Sequence, residues 1–228
     1  MLFVFFVSFL LVIFAYGVGN VSAAPEDVIY VNGYGNDSWD GQLAVWNGTS
    51  GPKASIKNAT GTVDNGGTVN IADGIYSGAQ NTNITIYKSI NINGQNQDGT
   101  IINGTNTNWI FTIFPGFNVT ISNLTMCNGF TVNGGGAAIN CASNLTVNNC
   151  MFKYNNASVG GAIATRQGSF VTIENSDFIG NVGSGNSVYG GGSIYNDQSS
   201  NMMLVACNFT ANNAGSGGAV SNAVILLL

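Results

Sequence analysis

Histidine is missing from this 228-residue chain, and charged residues of either sign are scarce. Only 7% of the residues are charged, and lysine and arginine together number five. The lack of histidine removes the commonest general base and metal ligand, and we expect no cofactor. With a net charge of −5 and so few cations, the chain has no basic surface for phosphates. Nucleic-acid binding is therefore excluded as a function class.

The chain is instead rich in glycine and in residues that favour strands. It contains 32 glycines, and 45% of its residues are hydrophobic, which distinguishes it from a disordered polar chain. A phrase of glycines, a small residue and an aliphatic residue occurs four times, ending at Ile139, Ile163, Ile194 and Val220. Recurrence at near-constant spacing marks a structural repeat.

Each repeat also contains a short strand-like segment such as "NVTISN", in which apolar residues alternate with Thr or Ser. These segments are 26, 26 and 31 residues apart, a period typical of one coil of a parallel β-solenoid. We predict that two core columns are Val119, Leu145, Val171 and Met202, and Ile121, Val147, Ile173 and Leu204. A third column contains Met126, Phe152, Phe178 and Phe209. An asparagine column at the following turn contains Asn123, Asn149 and Asn175, and ends at Ala206.

The segment "KASIKNATGTV" places Ile56, Ala59 and Val63 on one helical face. We therefore predict a short amphipathic helix that caps the first coil, since a solenoid end exposes core and strand edges. The predicted organisation is a signal peptide at 1–24, a cap and lead-in segment at 25–80, and β-helix repeats at 81–228. The sequence stops within a repeat at "SNAVILLL", and we take a truncated or frame-shifted reading frame as a hypothesis.

The first residues form an apolar run that is followed by "VSAAP". Ser22 and Ala24 would stand at positions −3 and −1 of a cleavage site, which predicts a secretory signal peptide. An uncleaved membrane anchor is the alternative. Export would make the N-x-[ST] sequons glycan acceptors, although an Asn-, Ser- and Thr-rich chain also forms sequons by chance. The candidate N-glycosylation sites are Asn36, Asn47, Asn58, Asn83, Asn103, Asn118, Asn123, Asn144, Asn156 and Asn208.

No catalytic constellation emerges from the sequence, and we expect no enzymatic activity. Glycosidases need two facing carboxylates, and only Glu174 and Asp177 lie near each other within the regular repeats, with a turn between them. Lyase chemistry would need a basic residue beside an acidic cluster. Arg166 is the only arginine, and its counterpart one coil earlier is not acidic.

The segment "GNDSWDG" offers Asp37 and Asp40 as oxygen ligands for calcium, but a plain polar turn is the favoured reading. The aromatic residues Tyr30, Tyr34, Trp39 and Trp46 cluster in the same region. They could stack on sugars, but we favour an aromatic plug at the end of the solenoid.

Four cysteines in an exported chain would suggest disulfides. Cys150 and Cys207 share a column, but Ser176 lies between them, so their Cα atoms are roughly 10 Å apart by strand spacing. A disulfide needs about 7 Å or less. Cys127 and Cys141 align with neither, and we predict four free thiols.

The phrase "GGAI … VTIENSDFIGN" resembles the repeats of right-handed parallel β-helix surface proteins with a pectin-lyase-like fold. These include bacterial polymorphic outer-membrane proteins and, more closely, the adhesin-like proteins of methanogenic archaea. "IYVNGYGNDSWDG" and "GGTVNIADGIYSG" are similar to the start of the archaeal proteins. The resemblance implies a right-handed β-helix, secreted or held at the cell surface, that acts in adhesion.

The partners implied by this resemblance are glycans or surface proteins of other cells. Contact with a membrane is expected only through the signal segment or a missing C-terminal anchor. The alternative function is a carbohydrate-active enzyme, a polysaccharide lyase or glycoside hydrolase of the same fold. A third reading, a fragment of a larger gene product, is compatible with adhesion.

Overall fold

The computed structural model describes residues 27–166, 168–185 and 190–223. Over these residues the chain winds into a parallel β-helix of six complete coils, preceded by one strand and one short helix. Each coil contributes one strand to each of three sheets. The all-β parallel solenoid that the repeat predicts is therefore confirmed. The signal peptide predicted for residues 1–24 lies outside the described residues.

The three long sheets and one small sheet run parallel to the stacking direction of the coils, and all of their strand pairs are parallel. Sheet 1 contains β1 (Val28–Val31), β2 (Thr68–Ile71), β5 (Ile90–Gly94), β8 (Asn118–Ser122), β11 (Asn144–Asn148), β15 (Phe170–Glu174) and β19 (Asn201–Val205). Sheet 2 contains β3 (Gly74–Ser77), β6 (Thr100–Asn103), β9 (Thr125–Cys127), β12 (Met151–Lys153), β16 (Asp177–Ile179) and β20 (Asn208–Thr210). Sheet 3 contains β4 (Ile84–Ile86), β7 (Phe111–Ile113), β10 (Ile139–Cys141), β14 (Ile163–Thr165), β18 (Ile194–Asn196) and β22 (Val220–Asn222). Sheet 4 contains β13 (Asn156–Ala157), β17 (Val182–Gly183) and β21 (Asn213–Ala214).

The core consists of the columns that the alignment predicts. Leu145 pairs with Val119 and Val171, and Val147 pairs with Ile121 and Ile173. All six side chains are at most 3% exposed, because alternate residues of each strand point inward. In the aromatic column, the rings of Phe152, Phe178 and Phe209 stack with centroid separations of 4.7 and 4.8 Å.

The predicted cap is confirmed as the helix α1 (Ile56–Thr62). Ile56, Ala59 and Val63 are fully buried, so the helix covers the core at the amino-terminal end. Ser55 is the N-cap, and its hydroxyl accepts a hydrogen bond from the backbone N–H of Asn58. At the other end, the ammonium group of Lys88 donates to the carbonyl oxygen of Val63 at 2.6 Å, where a cation also complements the helix dipole.

The opposite end of the stack is less covered. The last coil continues the core columns with Met202, Leu204, Phe209 and Val220, but these side chains are only partly buried. Each of the earlier coils is packed between two neighbours. The burial of apolar surface therefore decreases toward the carboxyl-terminal coil.

The sheets extend further toward the amino terminus than the predicted division at residue 80. Strands β1, β2 and β3 precede this residue, and all three belong to sheets 1 and 2. The lead-in segment thus supplies the first strand of the stack and two of the three strands of the first coil, whose third strand is β4. Among the described residues, no helix has the length and apolar character needed to cross a membrane.

The corners of the coil explain both the asparagine column and the recurring glycines. Asn123, Asn149 and Asn175 have φ angles of 57°, 51° and 50°, in the left-handed region that asparagine tolerates better than most residues. Gly136 and Gly160, which precede sheet 3, have φ angles of 68° and 55°. A Cβ on Gly136 would overlap the carbonyl oxygen of Ile139, so the corner needs glycine.

A second asparagine column lies inside the protein, and the sequence analysis missed it. Asn155 and Asn181 are fully buried, and Asn212 continues the column in the last coil. The amide nitrogen of Asn181 donates to the carbonyl oxygen of Phe152 at 2.9 Å and to Oδ1 of Asn212 at 3.0 Å. Its Oδ1 accepts from the side-chain and backbone nitrogens of Asn155. This inner ladder satisfies backbone groups that would otherwise be buried without partners.

The four cysteines are free, as the register predicts. The backbone N–H of Cys150 donates to the hydroxyl of Ser176, which lies one coil further along the column and separates Cys150 from Cys207. Burial raises the pKa of Cys150 to about 12 and that of Cys141 to about 11. Burial also raises the pKa of Cys127, although its thiol is only partly buried.

We expect thiol labelling to separate the cysteines by their environment. In the native protein near pH 8, Cys207 and Cys127 should react with an alkylating reagent first, because they are partly exposed. Cys141 and Cys150 should be protected, because they are buried and their raised pKa values leave little thiolate. Mass spectrometry after labelling before and after denaturation measures this. A crosslink between Cys150 and Cys207 would contradict the register.

Candidate functional site

The residues that directly follow the sheet 3 strands form a column on the protein surface. Tyr87 follows β4, Phe114 follows β7, Ala142 follows β10 and Arg166 follows β14. Backbone hydrogen bonds keep these residues in register, from Phe114 N–H to Ile86, from Ala142 N–H to Ile113 and from Arg166 N–H to Cys141. Neighbouring members are therefore about 4.8 Å apart along the stack.

Ala142 makes a gap in this column. Its small side chain lies between the larger ones of Phe114 and Arg166, whose backbones are two coil steps, or roughly 10 Å, apart. The gap is a hollow of about 130 Å³ with Ala142 and Ile113 at its floor. Thr112 and Asn140, two outward residues of sheet 3, complete its polar side. We call this the Arg166 hollow.

Arg166 presents a fixed cation to the hollow. Its Nε donates a hydrogen bond of 3.0 Å to Oδ1 of Asn140, which orients the guanidinium plane. Among the described residues its terminal nitrogens make no hydrogen bond, although Asp197 occupies the next position of the column. A guanidinium with two free terminal nitrogens can bind a carboxylate or sulfate through two parallel hydrogen bonds.

The ring of Phe114 lines the other side of the hollow and packs against the ring of Tyr87, one coil earlier. The rings of Tyr87 and Phe114 lie 4.5 Å apart between centroids and are tilted by 42°. They are 59% and 41% exposed, so they form an apolar surface patch beside polar groups. This combination suits a ligand that is apolar on one face and carries hydroxyl or acidic groups at its rim.

The carboxylates considered for catalysis are not brought together as a pair across the sheets. Glu174 ends β15 and Asp177 begins β16, on either side of the corner. The cross-strand neighbours of Glu174 are Asn148 and Val205, and those of Asp177 are Met151 and Asn208. Among the described residues, no group of three or more Cys, Asp and Glu side chains is placed to hold a metal ion.

The acidic residues of "GNDSWDG" serve as acceptors within their own loop. Asp37 accepts hydrogen bonds from the backbone N–H groups of Ala54 and Ser55, and its other oxygen accepts from the Ser55 hydroxyl. It thereby positions the start of α1. Asp40 accepts from the N–H groups of Gln42 and Gly51, and hydrogen bonding, first from the Ser50 side chain and then from these N–H groups, lowers its pKa.

The aromatic-plug interpretation is wrong for the rings of this loop. Tyr34 is 94% exposed and Trp46 is 42% exposed, and Trp46 stacks on Trp39 at 4.3 Å. The core end is covered by the buried face of α1 instead. The loop covers the edge of β1 through its backbone, since Tyr30 N–H donates to Gly41 and Lys53 N–H donates to Tyr30.

The candidate glycosylation sites differ in the access of their amide nitrogen, the atom that receives a glycan. Five of them are exposed, namely Asn36, Asn47, Asn118, Asn144 and Asn208. The remainder, Asn58, Asn83, Asn103, Asn123 and Asn156, are partly buried.

Hydrogen bonds divide the sequons further. Asn144 donates its amide nitrogen to Asn118 at 2.8 Å, and Asn208 donates to Asp177. Asn83 and Asn123 also use their nitrogens within the protein. Within the part of the chain that the structure describes, the exposed residues Asn36 and Asn47 instead engage only their side-chain oxygens, in local turns, so their amide nitrogens have no partner there.

Comparison with known proteins assigns the chain to no family. No protein-family model matches it, and no curated protein matches it. A solved structure of a rhamnogalacturonan lyase is similar to it, with 15% sequence identity and a TM-score of 0.41. The match covers 86% of this chain and 60% of the lyase chain.

Proposed function

We propose that this chain is an exported, non-catalytic adhesion module of the adhesin-like type, and that it binds acidic glycans in the Arg166 hollow. The observation that carries this proposal is the guanidinium of Arg166, which is held by Asn140 and whose terminal nitrogens have no hydrogen-bond partner among the described residues. A uronic acid or sulfated sugar could place its anionic group there and its apolar ring face against Phe114. The low charge of the rest of the surface makes this cation distinctive.

Several features favour binding over catalysis. The described residues that line the hollow carry hydroxyl, amide, aromatic and guanidinium groups, and none of them carries a carboxylate that could act as an acid or base. A guanidinium stays protonated in proteins, so Arg166 is suited to hold an anion and poorly suited to remove a proton. A rigid repeating scaffold is well suited to present such a site without moving parts.

Binding to an array of acidic and neutral glycans tests this function. We expect the secreted protein to bind uronic-acid-containing or sulfated glycans, and Arg166→Ala to weaken that binding tenfold or more, or about 1.4 kcal/mol. Arg166→Lys should recover only part of the affinity, because an ammonium cannot form the two-bonded fork. Lys57→Ala, which removes one exposed cation elsewhere, is the charge-matched control.

Two outcomes would contradict the proposal. If the wild-type protein and Arg166→Ala bound every acidic glycan with equal affinity, the hollow would not be the binding site. Release of new reducing ends or unsaturated products from a polysaccharide panel would favour the enzyme alternative instead.

Export and glycosylation belong to the same proposal. Mass spectrometry of the secreted protein should find a mature N-terminus near Ala24 or Pro25. Glycans should be found on Asn36 and Asn47, which are exposed and whose amide nitrogens donate no hydrogen bond to any described residue, and not on Asn123. An intact apolar N-terminus in the membrane fraction would instead support the anchor.

A further inference from the structure

A second surface groove lies on the outward face of sheet 1, at its amino-terminal edge. The loop 32–53 folds beside this face, and Ala44 of the loop forms one wall. The floor consists of Tyr30, Asn70 and Asn93, which pair in register on β1, β2 and β5. The groove has a volume of about 240 Å³, and we call it the Tyr30 groove.

The wall of this groove is held in place by hydrogen bonds on both sides of Ala44. Tyr30 N–H donates to Gly41 at 2.7 Å, and Gly41 N–H donates to Gly51 at 2.9 Å. Lys53 is only 7% exposed, and its ammonium group donates to the carbonyl oxygens of Asp37 and Trp39. The groove is therefore preformed, which lowers the entropic cost of binding a ligand.

Hydrogen bonds orient the polar side chains of the groove, but among the described residues some of their amide nitrogens have no acceptor. Asn93 accepts hydrogen bonds from Ser122 and Asn123, and its own nitrogen donates to Oδ1 of Asn70 at 3.2 Å. Among the described residues, the amide nitrogen of Asn70 donates no hydrogen bond, while its oxygen accepts from Asn93. Likewise, the side-chain oxygen of Gln95 accepts a hydrogen bond from Asp73 N–H at 3.3 Å, and its amide nitrogen donates none to a described residue.

The chemistry of the groove defines the class of ligand. Its lining contains no charged side chain, so nothing in it compensates the desolvation of an ionic ligand. It combines the Tyr30 ring and the alanines Ala44 and Ala72 with two amide donors. A neutral sugar ring matches this lining, because its hydroxyl groups accept from amides while its C–H face packs on apolar groups.

An extended peptide fits less well. A peptide that adds to a sheet needs a free strand edge. The edge of β1 is occupied by the loop, through the hydrogen bonds of Tyr30 and Asn32 with Lys53 and the bridge between Val31 and Lys53. The groove opens on the face of the sheet, where only side chains are available.

We propose that the Tyr30 groove is a binding site for one or two units of a neutral saccharide. The site lies on sheet 1, whereas the Arg166 hollow borders sheet 3. It is independent of the proposed acidic-glycan site, and either can fail without the other. A chain with both sites would recognise a neutral and an acidic sugar at two separate places on its surface.

Titration with neutral linear tetrasaccharides of glucose, mannose, galactose and N-acetylglucosamine, followed by calorimetry and ligand-observed NMR, tests the site. We expect saturable binding of at least one of them at up to millimolar concentration. Ala44→Trp should fill the groove and weaken this binding tenfold or more. Val45→Trp is the matched control, because Val45 is the next residue, is 73% exposed and does not line the groove.

Further variants separate this site from the other one. Asn70→Thr, a substitution that suits a strand, should also weaken neutral-saccharide binding, and Arg166→Ala should leave it unchanged. Absence of saturable binding to every neutral saccharide would overturn the proposal. Binding that Ala44→Trp leaves intact, or that Arg166→Ala abolishes, would also overturn it.

Discussion

Replacement of Val147 by aspartate is expected to lower the free energy of unfolding by about 4 kcal/mol or more. Val147 is fully buried in sheet 1, between Ile121 and Ile173 of the adjacent coils. Among these apolar side chains a carboxylate would have no partner, so it must either remain charged without solvation or take up a proton. Single domains are stable by roughly 5–15 kcal/mol, so this change removes a large part of the total.

The neighbouring residue provides the control for this experiment. Thr146 is exposed and lies between Thr120 and Thr172 on the outward face. Thr146→Asp adds the same charge one residue away and should cost less than about 1 kcal/mol, mainly through strand propensity. Denaturant titration of both variants measures the difference. Similar losses at the two positions would mean that the inward and outward sets of sheet 1 are wrongly assigned.

Removal of the Asn181 side chain is expected to be nearly as damaging, with a loss of about 4 kcal/mol in Asn181→Ala. The amide is fully buried and takes part in hydrogen bonds to Asn155, Phe152 and Asn212. Each buried group that loses its partner costs about 1–3 kcal/mol, and the deletion leaves several. A cavity adds to this cost.

Two further variants separate hydrogen bonding from packing. Asn181→Asp keeps the shape but replaces the donor nitrogen, so oxygens would face the carbonyl of Phe152 and Oδ1 of Asn212. It should be at least as destabilising as Asn181→Ala. Asn175→Ala, in the outer column of the same coil, should cost about 1 kcal/mol. Ala206 already occupies the equivalent corner with a φ angle of 51°. Equal losses for Asn175→Ala and Asn181→Ala in thermal or chemical unfolding would show that the inner ladder is not a major source of stability.

The core columns of sheets 1, 2 and 3 could be predicted because the repeat period determines which residues of successive coils align. One aligned residue in each coil determines the neighbours of every other residue in regular strands, so Val147 could be placed without a structure. The inner ladder had the same kind of signal, since Asn155, Asn181 and Asn212 each follow a column phenylalanine by three residues. Because asparagine also favours turns, the pattern alone does not distinguish a buried ladder of asparagines from a column of exposed turn residues.

The two candidate sites depend on structural features that do not repeat from coil to coil. The Arg166 hollow combines Phe114 of a less regular early coil with Arg166 of a later coil, and it exists because Ala142 is small. The Tyr30 groove depends on the path of the loop 32–53, which is fixed by individual hydrogen bonds of Asp37, Asp40 and Lys53. Neither the path of this loop nor the gap at Ala142 can be predicted from the alternation of apolar and polar residues.

The closed amino-terminal end has a consequence for how the protein is made. Ribosomes deliver the amino terminus first, so α1 and the first coil exist before the rest of the chain has been synthesised. Because every coil pairs only with its neighbours, each new coil meets a finished template as soon as it emerges. The nascent protein can thus fold coil by coil, starting from the end that α1 covers. At any moment its unfinished apolar surface is confined to one advancing coil, which limits the time during which it can aggregate.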